Sequence, residues 1–151
     1  MKKILLLSAF ALLCSCSKNL EKDPYLGAWQ LVSASFYSLP ERETIPPLVF
    51  PETGTNLVFE FKEQGVLSVY GQIEDVNDWL SNYGLLREEI EIFSLFEKGE
   101  GLYAYTAKSR IDNLWDLTID EKTWYLTLSN ESTLVIGLIG GSSYTLKKVK
   151  E

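Results

Sequence analysis

From Tyr25 onward, this 151-residue chain alternates apolar and polar residues in short runs broken by Gly, Asn, Ser and Pro. Period-two alternation gives an extended strand one apolar face, so the pattern predicts half-buried β-strands. The clearest runs set Leu57, Phe59 and Phe61 against Glu60 and Lys62, and Trp115, Leu117 and Ile119 against Asp116, Thr118 and Asp120. A third sets Trp124, Leu126 and Leu128 against Tyr125, Thr127 and Ser129. Glu63-Gln64-Gly65 and Asp120-Glu121-Lys122 are short enough to be hairpin links, and Gly140-Gly141-Ser142 precedes a last strand at 144–149. Hairpins join antiparallel neighbours, so the expected class is mainly β and antiparallel.

Two stretches break the alternation. Across residues 39–55, Pro40, Pro46, Pro47 and Pro51 remove backbone donors and predict a long loop. Across residues 75–83, Val76, Trp79, Leu80 and Tyr83 recur at helical spacing, with Asp75 placed to cap the start and Gly84 the end; one short amphipathic helix is expected there. Residues 85–96 mix both signals. Glu88, Glu89 and Glu91 favour helix while Ile90, Ile92 and Ser94 alternate, and the stretch reads as helix first and strand after.

The chain begins differently. Lys2 and Lys3 precede an apolar run, Ile4 to Leu13, interrupted by Ser8. Ten helical residues fall well short of the roughly twenty needed to cross a bilayer, so the run reads as a secretory signal. Its end, Leu13-Cys14-Ser15-Cys16, resembles the lipobox of bacterial lipoproteins. Small Ser15 suits cleavage before Cys16, whereas bulky Leu13 does not suit cleavage before Cys14. The resemblance implies a signal peptide at 1–15, a lipidated Cys16 with a polar tether to residue 24, and one domain at 25–151. It also implies attachment to the outer membrane, since Ser17 is not the aspartate that favours inner-membrane retention; which side the domain faces stays open. The mature domain then has no cysteine, hence no disulfide or thiolate metal site.

Removing the signal leaves 12 basic and 21 acidic residues, a formal charge of −9. Nucleic acid is excluded as a partner on that charge, and the domain should stand off anionic headgroups on its tether. The chain has no histidine, which removes the commonest general base and metal ligand, and an enzyme is not expected. Glu88, Glu89 and Glu91 read as a solvated face. Asp112, Asn113 and Asp116 lack the glycine and terminal glutamate of a calcium loop, and Gly137, Gly140 and Gly141 lead into no phosphate-binding helix. No metal or cofactor is expected.

Gly27-Ala28-Trp29 at the first strand and Tyr144-Thr145-Leu146-Lys147-Lys148-Val149 at the last resemble the frame of a lipocalin-like domain. The resemblance implies an up-and-down barrel of about eight strands, with Gly27 and Trp29 as structural residues and Trp29 packed across the closed end. Such a barrel either fills its interior or holds one small ligand. The inward candidates by alternation are Phe59, Phe61, Tyr103, Tyr105, Trp115, Trp124 and Tyr144, and the expected ligand is a small apolar or amphipathic molecule. The competing expectation is a module that binds protein or glycan through outward aromatics such as Tyr125 or Trp79.

Overall fold

A computed structural model describes residues 23–36, 47–50, 56–72, 81–82, 101–138 and 141–150. Strands β1 (Gly27–Ser35), β2 (Leu48–Val49), β3 (Asn56–Lys62), β4 (Val66–Gln72) and β5 (Gly101–Ile111) are followed by β6 (Leu114–Ile119), β7 (Lys122–Asn130), β8 (Thr133–Gly137) and β9 (Ser143–Lys148). Each strand from β3 to β9 pairs antiparallel with the next, β1 pairs with β3, and β9 returns to β1 through Trp29↔Lys148 and Leu31↔Leu146. The eight strands β1 and β3–β9 therefore close into an up-and-down, lipocalin-like barrel.

Alternation explains why the sheet closes with its apolar side inward. Trp29, Leu31, Leu57, Phe59, Phe61, Leu67, Leu117, Leu126, Leu134 and Leu146 are all essentially inaccessible and form one core. Between them, Lys62, Thr106, Lys108, Arg110, Thr123 and Lys147 face water. A membrane-spanning barrel needs the opposite arrangement, an apolar band outside and polar groups within.

The turns are tight. Lys62 and Val66 close a three-residue link in which Gln64 has φ 69° and Gly65 φ 73°. Ile119 and Lys122 close a two-residue link in which Asp120 has φ 47° and Glu121 φ 68°, so Lys122 already begins β7. Positive φ at both central residues is the type I′ geometry that matches strand twist. Near the end of β4, Gly71 has φ 117°, and a Cβ there would sit 1.8 Å from the Asn56 carbonyl oxygen. Only glycine lets β3 and β4 approach so closely.

Within the expected proline-rich loop the structure places a strand. β2 pairs Leu48 with Ala34 and Val49 with Ser33, and the Phe50 amide donates to the Val32 carbonyl at 2.8 Å. β3 reaches β1 only over Gly27–Gln30, so β2 takes the rest of that edge. Leu48 and Phe50 are buried and Val49 is exposed, a three-residue alternation too short to stand out between prolines. Of the expected helix at 75–83, only Ser81 and Asn82 are described, both helical and exposed; its other residues and all of 85–96 lie outside the described residues.

Candidate functional site

The barrel has two unlike poles. At the near pole the chain enters at Asp23, and the β3–β4, β5–β6 and β7–β8 turns gather. At the far pole lie the β6–β7 and β8–β9 turns and the strand ends from which the two long connections leave, Ser35 toward β3 and Gln72 toward β5.

Tyr25 closes the near pole. Its ring meets Phe61, Tyr105 and Trp115 edge-on, with centroids 5.9, 6.4 and 5.2 Å away, and Phe61 and Tyr105 meet edge-on at 5.3 Å. Such T-shaped contacts set a ring's positive edge against a neighbour's negative face. The polar ends are satisfied as well. Tyr25 donates its hydroxyl to Asp23 Oδ2 at 3.1 Å, and Tyr105 donates to the Lys62 carbonyl at 3.0 Å. Trp29, wholly buried, donates its indole N–H to the Tyr25 carbonyl at 2.7 Å, and Lys148 Nζ lies 5.5 Å over its ring. Gly27 opens this strand at φ 117°, a conformation glycine reaches without strain. Burial raises the Tyr25 phenol well above the ordinary tyrosine pKa, with Tyr105 and the Asp23 carboxylate adding to it; burial likewise raises Tyr105. Both stay neutral donors across the physiological range.

The far half is aromatic too, but unevenly satisfied. Tyr103, Trp124 and Tyr144 sit near the far-pole ends of β5, β7 and β9, and Phe59 lies midway along β3. Tyr144 meets Phe36 edge-on at 6.4 Å, and the Tyr103 ring lies against Gly101. Burial, with Asp120 second, raises the Tyr103 phenol. Trp124 is 2 % exposed, stands opposite Leu117, and among the described residues its buried Nε1–H has no hydrogen-bond partner.

The seven inward candidates thus divide. Phe61, Tyr105 and Trp115 belong to the near-pole cluster, while Phe59, Tyr103, Trp124 and Tyr144 occupy the middle and far half. Alternation along the strands places all seven in or against the core, with Tyr103 only partly buried. Sequence reasoning missed Tyr25, which lies outside any strand; an aromatic just ahead of Gly27 and behind the Asp23-Pro24 turn was its one signal. Tyr125 is half-buried, with its ring against Gly137, and Asp116 holds Arg110 at 2.7 Å from β6. Cys16, Trp79, Glu88, Glu89 and Glu91 lie outside the described residues. No group of three or more acidic, Cys or His residues able to hold a metal occurs among the described residues. The chain matches no protein-family model, no curated protein and no solved structure.

Proposed function

We propose that this chain is a lipid-anchored, lipocalin-like protein of the Gram-negative outer membrane that takes one small amphipathic molecule into the far half of its barrel. Cys16 carries the lipid and residues 17–24 tether the domain; no catalytic step, metal or nucleic acid enters this reading. The observation that supports binding is the Trp124 indole. A buried donor without an acceptor costs about 1–3 kcal/mol, and a carbonyl or carboxylate oxygen on a guest removes that cost. The apolar remainder of the guest suits the apolar core to which Phe59 and Tyr144 belong.

Native mass spectrometry of the gently purified full chain, followed by solvent extraction, tests this. The expected result is an added mass of a few hundred daltons that extraction removes and a fatty acid restores. A bare chain that takes up no fatty acid or other apolar probe contradicts it.

A second reading, contact with protein or glycan through the outer wall, draws on Leu102 and Tyr70. They are 74 % and 42 % exposed on the outer face of adjacent strands β5 and β4. A Leu102→Ser, Tyr70→Ser double variant that keeps the guest but loses a partner recovered by crosslinking on cells would favour that reading.

A further inference from the structure

Outside the barrel, at the near pole, an open cleft of about 420 Å³ lies between the incoming segment, the β3–β4 turn and β5. Asp23, Tyr25, Leu26, Lys62, Tyr105 and Ala107 contribute to it. Its polar groups are unbalanced. Both phenol protons are committed, that of Tyr25 between the Asp23 carboxylate and the Tyr105 oxygen and that of Tyr105 to the Lys62 carbonyl, so the phenols offer the cleft only their remaining lone pairs. The Asp23 carboxylate has further acceptor capacity beyond the bond from Tyr25. The one lysine on the rim is offset, because Lys62 Nζ lies 3.2 Å from the Glu60 carboxylate. What remains is a negatively biased hollow, with Asp23 and Glu63 set against Lys62, the Gln64 amide as an uncharged side-chain donor, and Leu26 and Ala107 as its apolar part.

We infer that this cleft binds a primary ammonium group on a short alkyl stem. An ammonium carries three donors and no acceptor, which complements a carboxylate, phenol oxygens and a carbonyl, while the stem lies along Leu26 and Ala107. An anion is opposed by Asp23. A sugar ring needs an aromatic face to lie on, but Tyr25 and Tyr105 are only 4 % and 6 % exposed and form a floor, not a platform. The site is distinct from the barrel interior and does not depend on the guest at Trp124.

The ammonium has two candidate sources with the same chemistry. Asp23 follows Cys16 by seven residues, which extended chain spans in at most about 25 Å, so an aminoethyl lipid headgroup beside the anchor is within reach. A free small amine is the other. The lipid source rests on the proposed anchor at Cys16; the free source does not.

The test uses the isotope-labelled, full mature chain in phosphatidylcholine nanodiscs, read by the amide resonances of Gly65 and Ala107. Adding n-butylammonium should shift both saturably in the millimolar range, and n-butyrate should shift neither. Asp23→Asn should weaken the response at least tenfold. Ala107→Phe, which fills the cleft while leaving Asp23 and both phenols in place, should abolish it. Replacing half the lipid with phosphatidylethanolamine identifies the source: resonances already shifted before amine is added mark the headgroup, and unshifted ones that still answer butylammonium mark a free amine. No saturable shift in either membrane, or one that survives Ala107→Phe, overturns the inference.

Discussion

The two halves of this barrel use the same kinds of residue to different ends. At the near pole, Tyr25, Trp29, Phe61, Tyr105 and Trp115 interlock, and the polar atoms of Tyr25, Trp29 and Tyr105 each reach an acceptor within 3.1 Å. In the far half, Trp124 is more deeply buried than Tyr25, Tyr105 or Trp115, yet its donor has no partner among the described residues. A satisfied aromatic cluster stabilises a fold by itself. An unsatisfied donor inside an apolar wall lowers stability unless something else completes it. In the proposed reading, this contrast and not the aromatic content separates plug from site.

The sharpest way to break the comparison is to remove a near-pole ring. Phe61→Ala deletes the shared neighbour of Tyr25 and Tyr105 and should cost about 3–5 kcal/mol, because the edge-on contacts and the closed strands around it prevent collapse into the void. Urea unfolding of the full chain measures this. A loss below about 1 kcal/mol would mean that the near pole is not the plug described.

Alkali attacks the same pole. Tyr25 and Tyr105 are raised by burial, as Tyr103 is to the far side, so each folded phenol holds its proton above the unfolded value near 10. Their contribution is whole below about pH 10 and is lost as pH climbs from there through the folded values. Thermal unfolding midpoints should fall above pH 10, and Tyr25→Phe should flatten part of that fall. Between about pH 6 and 9 the midpoints should hardly move, since the chain has no histidine.

Much of this was legible in the residues, and the limit is physical. Alternation says which side of a strand is buried, so Phe59, Phe61, Trp115 and Trp124 could be assigned inward without a structure. It does not say how high along the barrel each one sits. That depends on register: Phe61 pairs with Gly27, the first residue of β1, while Tyr144 pairs with Ala34, the next to last residue of the same strand, which separates one pole from the other. Tyr25 escaped because it lies ahead of the first strand, where no period applies. β2 escaped because three residues between prolines carry too little pattern. The missing partner of Trp124 could not be read at all, since satisfaction of a donor depends on every neighbour at once.

Smaller substitutions sharpen the contrast. At the far-pole β6–β7 turn, Asp120 and Glu121 both hold positive φ without being glycine. Glu121→Gly relieves part of that strain and should raise stability by roughly 0.5–1 kcal/mol, read as a higher urea midpoint with an unchanged slope. A fall instead would show that the Glu121 side chain contributes more than its backbone costs. Smallest in stability is Trp124→Phe, which keeps a ring and deletes the orphan donor. Because nothing bonded is lost, the unfolding free energy read from urea curves should stay within about 1 kcal/mol of the parent, while affinity for a fatty acid should drop about tenfold or more.

The most direct measurement reads the donors themselves. In the full mature chain labelled at tryptophan indole nitrogens, the Nε1–H resonances of Trp29 and Trp124 report the two halves separately, one already bonded to the Tyr25 carbonyl and the other without a partner among the described residues. On titration with dodecanoate, Trp124 should move downfield and saturate with the binding curve, whereas Trp29 should stay where it was. Binding that leaves Trp124 unmoved, or that shifts Trp29 as much, would contradict a guest held in the far half by that donor.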